Sequence, residues 1–448
     1  MSLDQIQKMA AIPTKCNDTD TIPISKSDNE KKRKSRDDNV VDDTDRPYPR
    51  KIRKQQKKMD FRDMDDLPQA EYYFEHGLRK VKSYYFVYQA YAKGRWLGRS
   101  ILEVFTQEFR DRNEQYYKYA LEKGLITLNG KPVEADTVIQ NSDVVGHKIH
   151  RHEPPVTDAA IKIVYQSDDL LVIDKPGGIP VHPAGRYRHN SVVHVLRKEL
   201  DIPRLFPSNR LDRLTSGLML IAKSSLKASH MEHEMSSGNI RKEYICRVDG
   251  EFPTTEIICN EPIKTISHKL SVNYVHPDGK PSCTHFNRIS YDAKTNTSVV
   301  RCKPITGRTH QIRVHLKYLG YPIGNDPLYG NTTSWATNLH LGQSMSDHDA
   351  KQLVDKLMEA SPFQSGEWDQ QPQAAEKKTE GAVVEFTDKT KLLEVESGER
   401  CPDCSVALFV DPPKESLFIW LHAWKYQGPG WEYETELPDW AHATLSSP

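Results

Sequence analysis

The chain has 448 residues, length enough for two or three domains, and 37% hydrophobic against 28% charged residues imply a globular centre with long polar additions. Formal net charge is zero, so the total points to no polyanionic partner and only the distribution of charge can. No run of about 18 apolar residues occurs, which excludes a membrane-spanning helix and leaves no membrane partner expected.

Residues 1–66 are rich in Lys, Asp, Ser, Asn and Pro without hydrophobic periodicity, and a disordered tail is expected. Between Lys31 and Lys58 twelve Lys/Arg stand against five Asp/Glu. Within that stretch Lys31-Lys32-Arg33-Lys34-Ser35-Arg36 reads as a nuclear import signal, an RNA-binding arm or a merely solvated charge run. Met1 to Asp20 has no apolar core and its first charged residue is acidic, which argues against a secretory or mitochondrial leader. Seven scattered cysteines read as reduced, intracellular thiols. The compartment expected from these features is nucleus and cytoplasm rather than mitochondrion.

Residues 67–96 turn aromatic and basic, as in Tyr84-Tyr85-Phe86-Val87-Tyr88, and are expected to be a structured lead-in whose rings serve packing. Ile101, Leu102, Phe105 and Phe109 have helical spacing, and a second helix is predicted to end at Lys123-Gly124. Two short strands then flank Asn129-Gly130, a strong hairpin signal, and Asp143-Val144-Val145 closes the unit. This order over 97–150 resembles an S4-like RNA-binding domain; a generic helix–helix–hairpin is the plainer alternative.

Pro154-Pro155 reads as a linker. From Ile161 to Leu341 come short strand-like runs, among them Leu170–Ile173, Leu218–Ala222 and Tyr244–Val248, with helical patterns at Val192–Leu200 and Ser225–Met235. Strands and helices without regular βαβ alternation predict an α+β domain over 156–341, built on a mixed or antiparallel sheet. Residues 342–400 read as a flexible acidic insertion, with thirteen acids and seven bases between Ser346 and Arg400. Leu417–Ala423 restores core-like composition, so 401–448 is expected to return to the same domain.

The chemistry concentrates in Asn209-Arg210-Leu211-Asp212-Arg213-Leu214-Thr215-Ser216-Gly217, a carboxylate between two arginines in a polar turn that opens onto a buried strand. Guanidinium groups within a few ångströms lower an Asp pKa by ~1–3 units, which suits nucleophilic or electrostatic work rather than proton donation. Taken alone, Arg-x-Asp is a surface ion pair. Three further segments change that: Asp174-Lys175-Pro176-Gly177-Gly178 at a strand end, Lys242-Glu243-Tyr244 opening another strand, and Gly307-Arg308-Thr309-His310-Gln311-Ile312-Arg313-Val314-His315. Arg301 to Asn325 also holds five basic residues and no acid.

In this order and spacing the segments resemble the signature set of the RluA family of pseudouridine synthases over about 160–335, resuming at Leu421-His422-Ala423. The aromatic lead-in, the S4-like unit and Pro438-Asp439-Trp440-Ala441 resemble the eukaryotic branch of that family. The resemblance implies an isomerase that needs no cofactor and no metal. It implies Asp212 as the nucleophile that attacks the sugar or base of a flipped uridine, Tyr244 as the ring that stacks on the base and assists proton transfer from C5, and Arg313 as the arginine paired with the nucleophile. Arg210 matches the arginine that holds the target nucleotide. Lys175, Arg213, Lys242, Arg308 and His310 join it as candidate substrate contacts, although His310 and His315 read equally as structural hydrogen-bonders. Asn209 stands where the family usually has histidine, and altered loop hydrogen bonding is expected there. Cys401-Pro402-Asp403-Cys404 is a single CxxC that could hold zinc only if distant His or Cys residues complete four ligands, and no metal is expected.

The expected partner is RNA, with a tRNA anticodon stem-loop favoured and messenger RNA as rival, bound by a monomer. Two other classes compete. A catalytically silent RNA-binding or RNA-chaperone protein would not need Asp212 and Tyr244. A hydrolytic nucleosidase would need two working carboxylates, and the Asp212 segment offers one.

Overall fold

The computed structural model describes residues 70–109, 114–267, 272–330, 348, 352–353, 396–404 and 407–442. The tail expected over 1–66, its basic run and nearly all of the acidic insertion lie outside the described residues.

Strands β1 (Tyr72–Glu75) and β2 (Leu78–Val81) form a hairpin, and β3 (Tyr84–Tyr91) follows it. Ser100 caps α1 (Ile101–Glu108) by accepting the Glu103 backbone N–H at 3.3 Å. Ile101, Val104 and Phe105, one face of that helix, bury against Tyr117, Ala120 and Leu121 of α2 (Glu114–Glu122). Strands β4 (Ile126–Leu128) and β5 (Lys131–Pro132) meet at Asn129-Gly130, whose φ values of 53° and 78° give the tight turn that few other residue pairs tolerate. The Asn129 amide also donates to Asp143 Oδ1 at 2.7 Å. β6 (Val144–Arg151) then pairs with β3 from Tyr84↔Arg151 to Tyr91↔Val144, completing a sheet in the order β3-β6-β4-β5. That sheet starts at Tyr84, upstream of the boundary expected at residue 97. Nor is Pro154-Pro155 an open linker: both prolines are buried. The preceding Glu153 carboxylate accepts the backbone N–H groups of Arg188, His189 and Asn190. β7 (Val156–Thr157) adds to β2.

The large sheet is assembled from β8 (Lys162–Gln166), β9 (Leu170–Lys175), β10 (Phe206–Pro207), β11 (Ser216–Ala222), β12 (Arg241–Asp249), β13 (Ile257–Cys259), β16 (Thr284–Asp292), β17 (Thr297–Pro304), β20 (Leu421–Gly428) and β21 (Trp431–Glu434). Its order is β13-β16-β17-β12-β20-β11-β9-β8, with β10 on β11 and β21 on β20. All of its pairings are antiparallel except β11 with β20, so the sheet is mixed, within an α+β fold. Around it lie α3 (Val192–Leu200), α4 (Ser225–Ser236), the hairpin of β14 (Ile263–Ser267) and β15 (Val272–Val275), α5 (Gln311–Tyr318), and a separate hairpin of β18 (Glu396–Arg400) and β19 (Ala407–Phe409).

Leu218 to Ala222 of β11 are each fully buried, with no polar alternation, because both faces of this central strand are covered. Each large side chain removed from water there contributes on the order of 2 kcal/mol. β20, from far along the chain, lies between β11 and β12. Gly217 makes the contact with β20 feasible. Its φ is +111°, and a Cβ there would stand 2.3 Å from the Ala423 carbonyl oxygen.

Candidate functional site

The loop from Ser208 to Thr215 connects β10 to β11 and carries Asp212 into a cleft of about 300 Å³, room for one nucleoside-sized group. The cleft gathers residues from three neighbouring strands and the start of α5. Arg313, the third residue of α5, donates from Nη1 to Asp212 Oδ2 at 3.0 Å. Its Nε and Nη2 donate to the two oxygens of Asp326 at 2.6 and 2.9 Å, a bidentate grip. Asp326 is fully buried and also accepts the backbone N–H groups of Leu328 and Tyr329. A fixed guanidinium is thus delivered to one edge of Asp212, whose side chain keeps a quarter of its surface open to the cleft.

His310 stands at the N-terminus of α5 in left-handed conformation, φ 58°. Its Nε2 is 3.5 Å from Asp212 Oδ2, and its Nδ1 is 2.9 Å from the Tyr329 hydroxyl. The Asn273 backbone N–H donates to that hydroxyl. The tautomer that satisfies the chain has Tyr329 donating to Nδ1 and the proton on Nε2, facing Asp212. Burial pushes the His310 pKa down to about 4, so the ring is neutral at neutral pH. Burial also works against ionisation of Asp212, but the positive groups around it outweigh burial and hold the carboxyl below its usual range. His310, which gains charge in the acid range where Asp212 titrates, contributes most to that effect, and Arg313 and Arg210 add to it.

Tyr244 enters from β12 at a bulge, where the register with β20 shifts between Glu243 and Tyr244. Its hydroxyl is 2.8 Å from that of Tyr426 on β20. Burial pushes the Tyr244 phenol up to about 12, so it stays protonated. Asn209 donates from Nδ2 to the Tyr426 hydroxyl at 3.2 Å and accepts the Leu220 backbone N–H on Oδ1. The asparagine at the atypical position therefore ties the Asp212 loop both to β11 and to the tyrosine pair.

Arg210, Lys242 and Arg308 also line the cleft. Arg210 is exposed, burial lowers the Lys242 pKa, and Arg308 donates from Nε to the Pro281 carbonyl at 3.1 Å. Two expected substrate contacts are not brought to the cleft. Lys175 is fully buried and spends its ammonium on the carbonyls of Pro176, Ile179 and Arg213, so it braces the back of the Asp212 loop. The Arg213 guanidinium lies 5.7 Å from the centre of the Tyr187 ring. His315 is buried against Thr284 and the Glu261 carbonyl.

Sequence reasoning missed Asp326, Tyr329 and Tyr426. Only Asp326 leaves a trace, as the first acid after the acid-free stretch Arg301–Asn325. Sequence reasoning also missed what stands beside the CxxC. Cys401 and Cys404 meet His150 and His152, and the four ligand atoms lie within 4.8 Å of one another. About 250 residues separate the two halves of this set, too far for spacing to reveal it.

Comparison with known proteins gives a consistent result. A family profile described as RNA pseudouridylate synthase matches residues 169–318. The human protein pseudouridylate synthase RPUSD2 is 40% identical over 417 residues, covering 84% of this chain and 76% of that protein. From Saccharomyces cerevisiae, the protein named tRNA pseudouridine(32) synthase, mitochondrial, is 42% identical over 398 residues, covering 86% and 81%. The one named tRNA pseudouridine(31) synthase is 34% identical over 420 residues, covering 84% and 99%.

Proposed function

The chain belongs to the RNA pseudouridylate synthase family, and from that premise we propose that it isomerises a flipped uridine of tRNA to pseudouridine with Asp212 as nucleophile. The observation that carries this reading is the Asp212 carboxylate, fixed by an Arg313 that Asp326 itself holds in place, at the wall of a nucleoside-sized cleft. A carboxylate oxygen attacks the sugar or base, and the N1–C1′ bond breaks. The detached uracil turns, and C5 bonds to C1′ as Asp212 is released. C5 gives up its proton and N1 gains one, so substrate and product are isomers and no cofactor enters. Tyr244, a protonated ring facing the cleft, stacks on the base and assists the C5 proton transfer. Arg210, Lys242 and Arg308 contact the nucleotide or its phosphates.

Two yeast relatives carry names that place their target uridines at tRNA positions 31 and 32, which supports the anticodon arm as the substrate here. We assign RNA contact also to the S4-like unit from Tyr84 to Arg151, which leaves Tyr85, Tyr88 and Tyr91 exposed and holds Lys148 Nζ 4.8 Å from the Tyr85 ring. The nuclear and cytoplasmic location expected from sequence is corrected. It rested on address features, a basic run and an acidic start, whereas a relative 42% identical over most of both chains is mitochondrial.

The test is Asp212→Asn, which keeps shape and removes charge. Folding and tRNA binding are expected to persist, and pseudouridine, read by mass spectrometry of digested tRNA, is expected to fall below detection. Equal product from both proteins would overturn the assignment of Asp212. Product from neither would favour the silent RNA-binding alternative.

A further inference from the structure

The cluster at the end of β6 bears on a different property of the molecule. His150 and His152 lie at the end of that strand and just beyond it, while Cys401 follows β18 and Cys404 sits in the turn that leads on toward β19. His150 Nδ1 is 3.5 Å from Cys401 Sγ, and His152 Nε2 is 3.3 Å from Cys404 Sγ. The two rings are 4.8 Å apart and nearly perpendicular, at 87°. Tetrahedral zinc, with Zn–S near 2.3 Å and Zn–N near 2.0 Å, sets its ligands about 3.3–3.8 Å from one another. Both cross pairs already have that edge length. Asp403 Oδ2 stands 4.0 Å from His150 Nε2, the ring nitrogen not directed at Cys401. A carboxylate there favours the tautomer that leaves Nδ1 free to coordinate.

We infer that His150, His152, Cys401 and Cys404 form a structural zinc site that pins the β18–β19 hairpin to the end of β6. The protein supplies all four positions of a tetrahedron and leaves none open for a substrate, as structural sites do. Both cysteines bind as thiolates and release their two protons to solvent, the histidines bind neutral, and the loaded site is uncharged overall. The placement explains an otherwise weak element. Among the described residues β18 and β19 pair only with each other, and an isolated two-stranded hairpin is marginal in water. Zinc would tie it to the end of β6.

The experiment uses the full chain, purified without affinity metals, and measures bound metal by mass spectrometry. About one zinc per chain is expected, released in full when a mercurial titrates the two thiols, and cobalt loading should give the visible absorption of a tetrahedral dithiolate site. Cys401→Ser with Cys404→Ser should lower zinc content at least about tenfold, whereas Asp212→Asn should leave it unchanged. Absence of zinc together with no tetrahedral cobalt spectrum would overturn the inference. So would equal zinc in the double variant, or a wild-type mass lighter by the two hydrogens of a Cys401–Cys404 disulfide. If the double variant fails to fold, zinc content and mercurial release in the unaltered chain decide the question, and neither readout depends on isomerase activity.

Discussion

Asp212 owes its charge to an arrangement two residues deep. Arg313 touches it, but Asp326 decides where Arg313 stands, through two buried hydrogen bonds. Asp326→Asn is therefore expected to act on Asp212 at a distance, as the loss of a positioning residue. Turnover should fall ~10- to 100-fold, comparable to the loss of other supporting hydrogen bonds behind a functional group. The acidic limb of the pH–rate profile should move to higher pH, because a displaced guanidinium no longer holds the Asp212 carboxyl down. Asp326→Glu, which keeps the charge, should restore part of both. A variant with reduced turnover and an unmoved acidic limb would show that Asp326 serves stability alone. Asp212, Tyr244 and Arg313 could be singled out as candidates because their segments, in order and spacing, resemble the family's signature set. Their supports could not. Tyr426 lies 182 residues from the tyrosine it contacts, and Asn209 carried a visible departure without showing that it would reach Tyr426.

Among the elements, the contact of β11 with β20 has least slack. Gly217→Ala would place a methyl 2.3 Å from one backbone atom of Ala423 and 2.5 Å from another, at a φ that L side chains rarely adopt. Relief requires the two strands to part, so the variant is expected to lose about 3 kcal/mol or more of stability. Urea unfolding measures it, and an unchanged midpoint would contradict this pairing. The Asn129-Gly130 turn and both predicted helices of the catalytic domain could be read from sequence because local chemistry dictates them. The helix α5 could not. Ile312, Val314 and Leu316 alternate with Arg313, His315 and Lys317, a period of two that carries no helical signal. The segment is helical nonetheless, with Gln311 to Leu316 all buried. Its polar members are satisfied inside the protein by Asp212, Asp326, Thr284 and the Glu261 carbonyl.

For the whole molecule, buried imidazoles set the response to acid. Burial lowers His310, His315 and His422 each from 6.5 to about 4. In the unfolded chain they titrate near 6.5 and take up protons that the folded state refuses. Their contribution to stability is intact above about pH 6.5 and is lost progressively as pH falls toward 4, each histidine on the order of 1 kcal/mol per pH unit in that window. Thermal melts over a pH series should show a steeper decline from about pH 6.5 downward. A decline confined to the carboxylate range would mean that these rings are charged or solvated in the folded state. The mixed sheet was readable as a class, but its order was not, since nothing local announces that residues 421–428 belong between β11 and β12. That placement has a consequence for biosynthesis. As the chain leaves the ribosome, the β8–β11 and β12–β17 halves emerge long before the strand that joins them, and each shows an unpaired edge at what will become the middle of the sheet. Such edges invite pairing with the wrong partner. A chain that ends between Pro304 and Leu421 would therefore carry two half-sheets with open edges rather than a smaller working enzyme.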